Sequence, residues 1–269
     1  GSNITLADTV DGAQALTLNS GGTTTLGGAV GGTTNLTSLT TNAGGTTAID
    51  GGAVTTTAAQ TYNDPATLGA DTTLTGTDLT FAGTVNGGQA LTLNGSGTTT
   101  LGGAVGGTTN LTSVTTDATG STAIDGGAVT TTAAQTYNDT VTLGAATTLT
   151  GTDLTFADTV DGAQDMTLDF SNATAFNGNV GSVTPIGDGG GAAITINGTG
   201  TTAFNGTLDT ASAINQANGS GTVTFTENVF IAGSTVSNFN ADTVLDGMTF
   251  FSSGNVNFGN AAGDTLTIN

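Results

Sequence analysis

Any chemistry in this chain has to come from carboxylates and hydroxyls, because the other reactive side chains are missing. Its 269 residues include no Lys, Arg, His, Cys or Trp, and 19 Asp and one Glu (Glu227) give a formal net charge of −20. Without imidazole, thiolate, amine or guanidinium, the usual general bases, nucleophiles and anion clamps are excluded, and no catalytic residue is assigned. Asp158, Asp161, Asp165 and Asp169 stand close together in the sequence. Oxygen-only ligands suit a hard cation, so Asp158, Asp161 and Asp165 form the candidate metal site and Ca2+ is the one candidate cofactor. The competing reading is a run of solvated surface carboxylates. It is supported by the lack of an EF-hand loop and of the Gly-Gly-x-Gly-x-Asp nonapeptide.

Two further carboxylate pairs, Asp64 with Asp139 and Asp78 with Asp153, recur one sequence repeat apart. Inverting glycosidases need two carboxylates roughly 6.5–9.5 Å apart. One repeat of a coiled β-structure would separate these pairs by about 19 Å along its axis, so turn formation is the better explanation of their recurrence. Tyr62 and Tyr137, each within Gln-Thr-Tyr-Asn-Asp, read either as a sugar-stacking pair or as buried aromatics. Runs such as Thr75-Gly-Thr77 raise ice binding as a third reading, but outward Thr is also a good residue for a solvated strand.

The elements that must position these residues are set by an internal repeat. Asp11-Gly-Ala-Gln-Ala-Leu-Thr-Leu-Asn19 returns as Asn86-Gly-Gly-Gln-Ala-Leu-Thr-Leu-Asn94 and, more loosely, as Asp161-Gly-Ala-Gln-Asp-Met-Thr-Leu-Asp169. Thr24–Ser38 is copied residue for residue at Thr99–Ser113. A solenoid accounts for such copying, since each unit buries its apolar face against its neighbours and must present matching surfaces to both. Within a period the apolar residues alternate, as in Leu16-Thr-Leu18, which is the period-2 signature of a half-buried strand. Gly-Gly pairs mark the corners. The expected fold is therefore all-β, a right-handed parallel β-helix with about four coils per 75-residue repeat. About 14 coils at ~4.8 Å each would make a rod on the order of 65–70 Å. An array of β-sandwiches, one per repeat, is the alternative.

Residues 1–170 carry the regular repeat, and 171–269 read as its continuation with degenerate, Phe-rich coils. Nine of the eleven Phe lie from Phe170 onward, and they are expected to fill the core. The loop Gly187-Asp-Gly-Gly-Gly-Ala192 is the expected place for a break or bulge, and residues 171–221 depart most from the repeat, so any ligand site is expected there or on nearby loops.

The acidic balance excludes nucleic acid as a partner, since a phosphate backbone would be repelled. No apolar run approaches the ~18–20 residues needed to cross a bilayer, so membrane insertion by this segment is not expected. The phrases Leu16-Thr-Leu-Asn…Thr23-Thr-Thr-Leu-Gly-Gly-Ala-Val and Gln60-Thr-Tyr-Asn-Asp…Thr67-Leu-Gly-Ala-Asp-Thr-Thr-Leu-Thr resemble repeats of giant bacterial surface proteins of the filamentous haemagglutinin and autotransporter-passenger kind. The resemblance covers roughly residues 3–170 well and the remainder more loosely. It implies an exported, extracellular β-helix at the bacterial surface, acting as the shaft or spacer of an adhesin or filament. Implied partners are a host or neighbour-cell surface, or further copies joined end to end. A calcium- or glycan-binding module is the rival reading.

Overall fold

The computed structural model describes residues 1–217, 219–259 and 263–269, and among them every regular element is a β-strand. The strands pair in parallel and stack in about 13 coils, forming a β-solenoid. Parallel pairing at these separations sets aside the sandwich array. The chain divides into two compact units, Gly1–Thr132 and Ala133–Asn269.

In the N-terminal unit three ladders run side by side. The first joins Ile4–Leu6, Thr23–Leu26, Thr46–Ile49, Ala66–Leu68 and Val85–Asn86. The second joins Ala15–Leu18, Ser38–Thr41, Gln60–Tyr62, Leu79–Phe81, Thr98–Leu101 and Ser121–Ile124. The third joins Ala53–Thr55, Thr72–Gly76, Ala90–Gly95 and Ser113–Thr116. Alternation does what the sequence requires. Leu26, Ile49, Leu74 and Leu93 are wholly buried, while Thr25, Thr73 and Thr92 face outward between them. Each fully buried aliphatic side chain contributes about 1.5–3 kcal/mol relative to an exposed one.

Registers refine the expected repeat geometry. Along the first ladder Thr24 pairs with Thr47, Thr47 with Ala66, Ala66 with Val85 and Val85 with Val105. Four coils thus carry the chain from Thr24 to Val105, past Thr99, where the copy of Thr24 stands. One sequence period therefore advances roughly three and two-thirds coils, in keeping with the expected figure of about four. Thr24–Leu26 lies in the first ladder, yet its identical copy Thr99–Leu101 lies in the second, paired with Leu79–Phe81 and Thr122–Ile124. Ala15–Leu18 and its copy Ala90–Leu93 likewise occupy the second and third ladders. Identical sequence therefore folds onto different faces, which is feasible because each strand and corner is specified locally.

Corners use glycine for two reasons. At Gly31 φ is +72°, a left-handed conformation costly for other residues. At Gly51 a Cβ would come within 2.2 Å of the Gly28 carbonyl carbon in the preceding coil.

The C-terminal unit also has three ladders. One joins Gln135–Tyr137, Leu154–Phe156, Ala173–Phe176, Thr201–Phe204, Val223–Phe225, Thr243–Leu245 and Leu266–Ile268. It stacks Tyr137, Phe156, Phe176, Phe204 and Phe225 in the core, successive centroids 4.7–5.2 Å apart and planes within 22°. A second joins Thr147–Gly151, Met166–Phe170, Ala192–Ile196, Ala213–Gln216, Ser237–Phe239 and Val256–Phe258. Its register shifts between Ala192 and Ile194, at the end of the glycine-rich loop where a bulge was expected. The coil that carries this loop, from Thr167 to Thr195, is longer than the coils before and after it, Thr148 to Thr167 and Thr195 to Asn215. The third ladder runs from Thr140–Leu143 and Val160–Asp161 through Val180 to Leu208–Thr210, Val229–Ile231 and Phe250–Ser252. Not every Phe fills the core: Phe230 and Phe251 face outward, 45% and 48% exposed.

Candidate functional site

Several carboxylates act as caps between coils. Asp11 Oδ1 accepts the backbone N–H groups of Thr33 and Thr34, at 2.8 and 2.9 Å. Its repeat equivalents do the same: Asn86 caps Thr108 and Thr109, and Asp161 caps Val183 and Thr184. These two N–H bonds hold the Asp11 carboxyl below its ordinary pKa. Asp78 accepts from Thr98 N–H. Asp153 accepts from the Thr152 hydroxyl, the Asn172 amide and Ala173 N–H, which together lower its pKa.

The candidate metal ligands have separate tasks of this kind. Asp158 Oδ1 accepts from Thr159 N–H at 2.7 Å, Asp161 caps the next coil, and Asp165 Oδ1 lies 3.4 Å from Asp188 N–H. Asp169 faces outward in register with Thr150. Among the described residues no group of three or more acidic side chains is close enough to share a metal ion.

Asp64 departs from the turn reading. It is 1% exposed, and its Oδ1 accepts hydroxyl protons from Thr41 at 3.0 Å and Thr47 at 2.7 Å. It is a buried pin between two ladders. Asp139, its repeat equivalent, is buried as well.

The tyrosines are buried too. Tyr62 stacks on Phe81 at 4.9 Å and donates its hydroxyl to Gln60 Oε1 at 2.9 Å. Gln60 Nε2 in turn donates to the carbonyls of Val54 and Thr75. Tyr137 repeats the bond to Gln135 and the stack on Phe156. Burial pushes both phenol pKa values up, and neither ring is open to a sugar.

Outward Thr residues form one long file on the second N-terminal ladder: Thr17, Thr40, Thr61, Thr80 and Thr100 stand in register. The positions two residues before them are Ala15, Ser38, Ala59, Asp78 and Thr98. The array is a single file, without a matching second one.

Among the described residues, an assembly with the character of a ligand site lies on the third ladder of the C-terminal unit, at residues the sequence did not single out as ligands. Leu208, Val229 and Ile231 point inward and are buried, so Asp209 and Phe230 must face outward between them, and Phe251 continues their file. The Phe230 and Phe251 rings stack at 4.8 Å and 6°. Thr207, Asn228 and Thr249 form a polar file beside them, tied by the Asn228 Oδ1 bond from Thr249 N–H. Together with Ser182 they line a groove of about 420 Å³. Asp209 Oδ1 is shielded from solvent and has no hydrogen-bond partner among the described residues. That burial raises the carboxyl pKa. A signal was present in the sequence: Phe230 lies between Val229 and Ile231, so alternation cannot bury all three.

No family model, curated protein or solved structure matches the chain.

Proposed function

We propose that this chain is a non-catalytic structural segment, the shaft or spacer of an extracellular bacterial adhesin or surface filament. The observation that carries this reading is the unbroken run of parallel ladders within each unit, with side chains outside them committed to holding coils together. Asp11, Asn86 and Asp161, the polar residues that recur most regularly, are used as caps from one coil to the next. A spacer needs this economy, because stiffness comes from repetition of the coil and length from its number. The resemblance to haemagglutinin-like and autotransporter-passenger repeats points the same way. Calcium has no part in this reading.

Electron microscopy of the purified segment at physiological salt, with and without Ca2+, tests it. Isolated rods in both conditions are expected. Rods joined end to end would make polymerisation the function, since an unpaired coil edge templates pairing. Globular particles would overturn the spacer reading, and assembly only with Ca2+ would restore the Asp158–Asp165 segment as a metal switch.

A further inference from the structure

The Asp209–Phe230–Phe251 groove is poorly explained by stability. A buried acceptor without a donor loses its hydration and gains nothing in return, and two half-exposed phenyl rings on a solvated strand add none of the core packing seen in Phe204 or Phe225. We propose that this groove binds a cationic side chain, guanidinium or ammonium, presented by a foreign basic protein.

The geometry supplies the two interactions such a group seeks. Asp209 lies one coil from Phe230 in the same outward file, so a cation held there meets the carboxylate at one end and the ring system at the other. Charge-assisted hydrogen bonds are roughly twice as strong as neutral ones, and the electron-rich face of an aromatic ring attracts a cation within about 6 Å. Thr207, Asn228 and Thr249 offer hydrogen bonds to the peptide on either side of the bound residue.

Charge selects the occupant. With no Lys, Arg or His in the sequence, neither these 269 residues nor a second copy of them has a cationic side chain to place in the groove, so the basic group comes from outside them. A net charge of −20 concentrates basic partners near the surface and speeds their encounter. A neutral sugar could satisfy the same oxygen with a hydroxyl, but it would gain nothing from that field and only the weaker, uncharged bond.

The test uses the full chain and the blocked tripeptides acetyl-Gly-Arg-Gly-amide and acetyl-Gly-citrulline-Gly-amide, which share shape and differ in charge. Backbone amide NMR shifts of residues 207–210 and 228–231 report binding. The expected result is saturable shifts with the Arg peptide and at least tenfold weaker binding of the citrulline peptide. Asp209→Asn and Phe230→Ala should each weaken Arg binding at least fivefold, whereas Asp8→Asn, which removes the same charge from the other unit, should leave it unchanged. The proposal is overturned by absence of shifts at these residues, or by equal binding of citrulline peptide or of methyl β-glucoside. Equal loss in Asp8→Asn and Asp209→Asn would overturn it too, by showing diffuse attraction to an acidic surface. The citrulline comparison needs no variant, so it decides the question even if a substitution disturbs folding.

Discussion

The two units solve the same packing problem with different side chains. In the N-terminal unit, where the sequence copies are nearly exact, the core is built mainly from Leu, Ile and Val, with one aromatic stack, Tyr62 on Phe81, and buried hydroxyls among them. Thr24, Thr41 and Thr47 point inward, and Asp64 binds two of them. In the C-terminal unit the sequence has drifted, and one ladder fills its interior with a file of five stacked aromatic rings. Large rings fill volume with few residues and gain about 0.5–1.5 kcal/mol per pair beyond area burial, and they stand beside buried polar residues such as Asp139, Thr202 and Ser237. The outer surfaces differ in the same direction. The N-terminal unit displays a file of Thr, whereas the C-terminal unit displays Asp209, Phe230 and Phe251. Regular repetition favours uniform surfaces, and a binding groove arises where repetition has lapsed.

The sharpest way to break the comparison is to cut the aromatic file. Phe204→Ala removes a wholly buried ring stacked on both sides, at 4.7 Å to Phe176 and 5.2 Å to Phe225. It should cost about 3–5 kcal/mol, read as a lower urea midpoint for the C-terminal unit. A loss under ~1 kcal/mol would mean that the file is not what holds that unit.

Asp64→Ala is the matching cut in the N-terminal unit and should cost less, about 2 kcal/mol. It strips the acceptor from two buried hydroxyls, but it also removes Asp64 Oδ2, which is buried without a partner among the described residues. Urea unfolding of this variant beside Phe204→Ala measures directly whether polar pins or stacked rings carry more.

Smaller and opposite in sign are the effects of pH at Asp11 and Asp209. Asp11 has a folded pKa below 3.8, so its stabilisation is present above that unfolded value and is lost as pH falls through the lower folded one. Asp209 has a folded pKa raised above 3.8 by burial. Its protonated form favours the fold, and that contribution fades as pH rises through the raised value. Melting temperature against pH should therefore show Asp11→Asn losing stability at neutral pH and Asp209→Asn unchanged or more stable there. A destabilised Asp209→Asn would mean that the carboxylate has a donor.

The smallest effect is expected from the largest excision. Deleting residues 24–98 joins Thr23 to Thr99, whose following sequence copies that of Thr24, so each coil at the junction keeps its own strands and corners. The shortened chain should retain its β-sheet circular dichroism per residue and melt within a few degrees of the parent. Failure to fold would show that copies are tied to particular faces after all.

Much of this was legible in the sequence because it is local. Leu16-Thr-Leu18 or Val223-Thr-Phe225 states which side chains go inward, Gly-Gly pairs mark corners, and exact copying demands a stacked array. The recurring Asp11, Asn86 and Asp161 were recognisable as corner residues, although their role in reaching across to the next coil was not. Phe230 could have been placed outward from Val229 and Ile231, but an expectation of core aromatics outweighed the alternation.

Tertiary structure alone decided which face each strand occupies. That depends on the accumulated length of successive coils, and the lengths are unequal. The coil from Thr47 to Ala66 is short, that from Thr24 to Thr47 is longer, and that from Thr167 to Thr195 is longer still. Corner length is tolerant of insertion, since loop closure costs little per added residue, so no local pattern encodes the sum. For that reason the sequence determined a β-solenoid and its inward residues, while the three-and-two-thirds-coil advance of each repeat, the burial of Asp64 and the meeting of Asp209 with Phe230 emerged only when the coils were stacked.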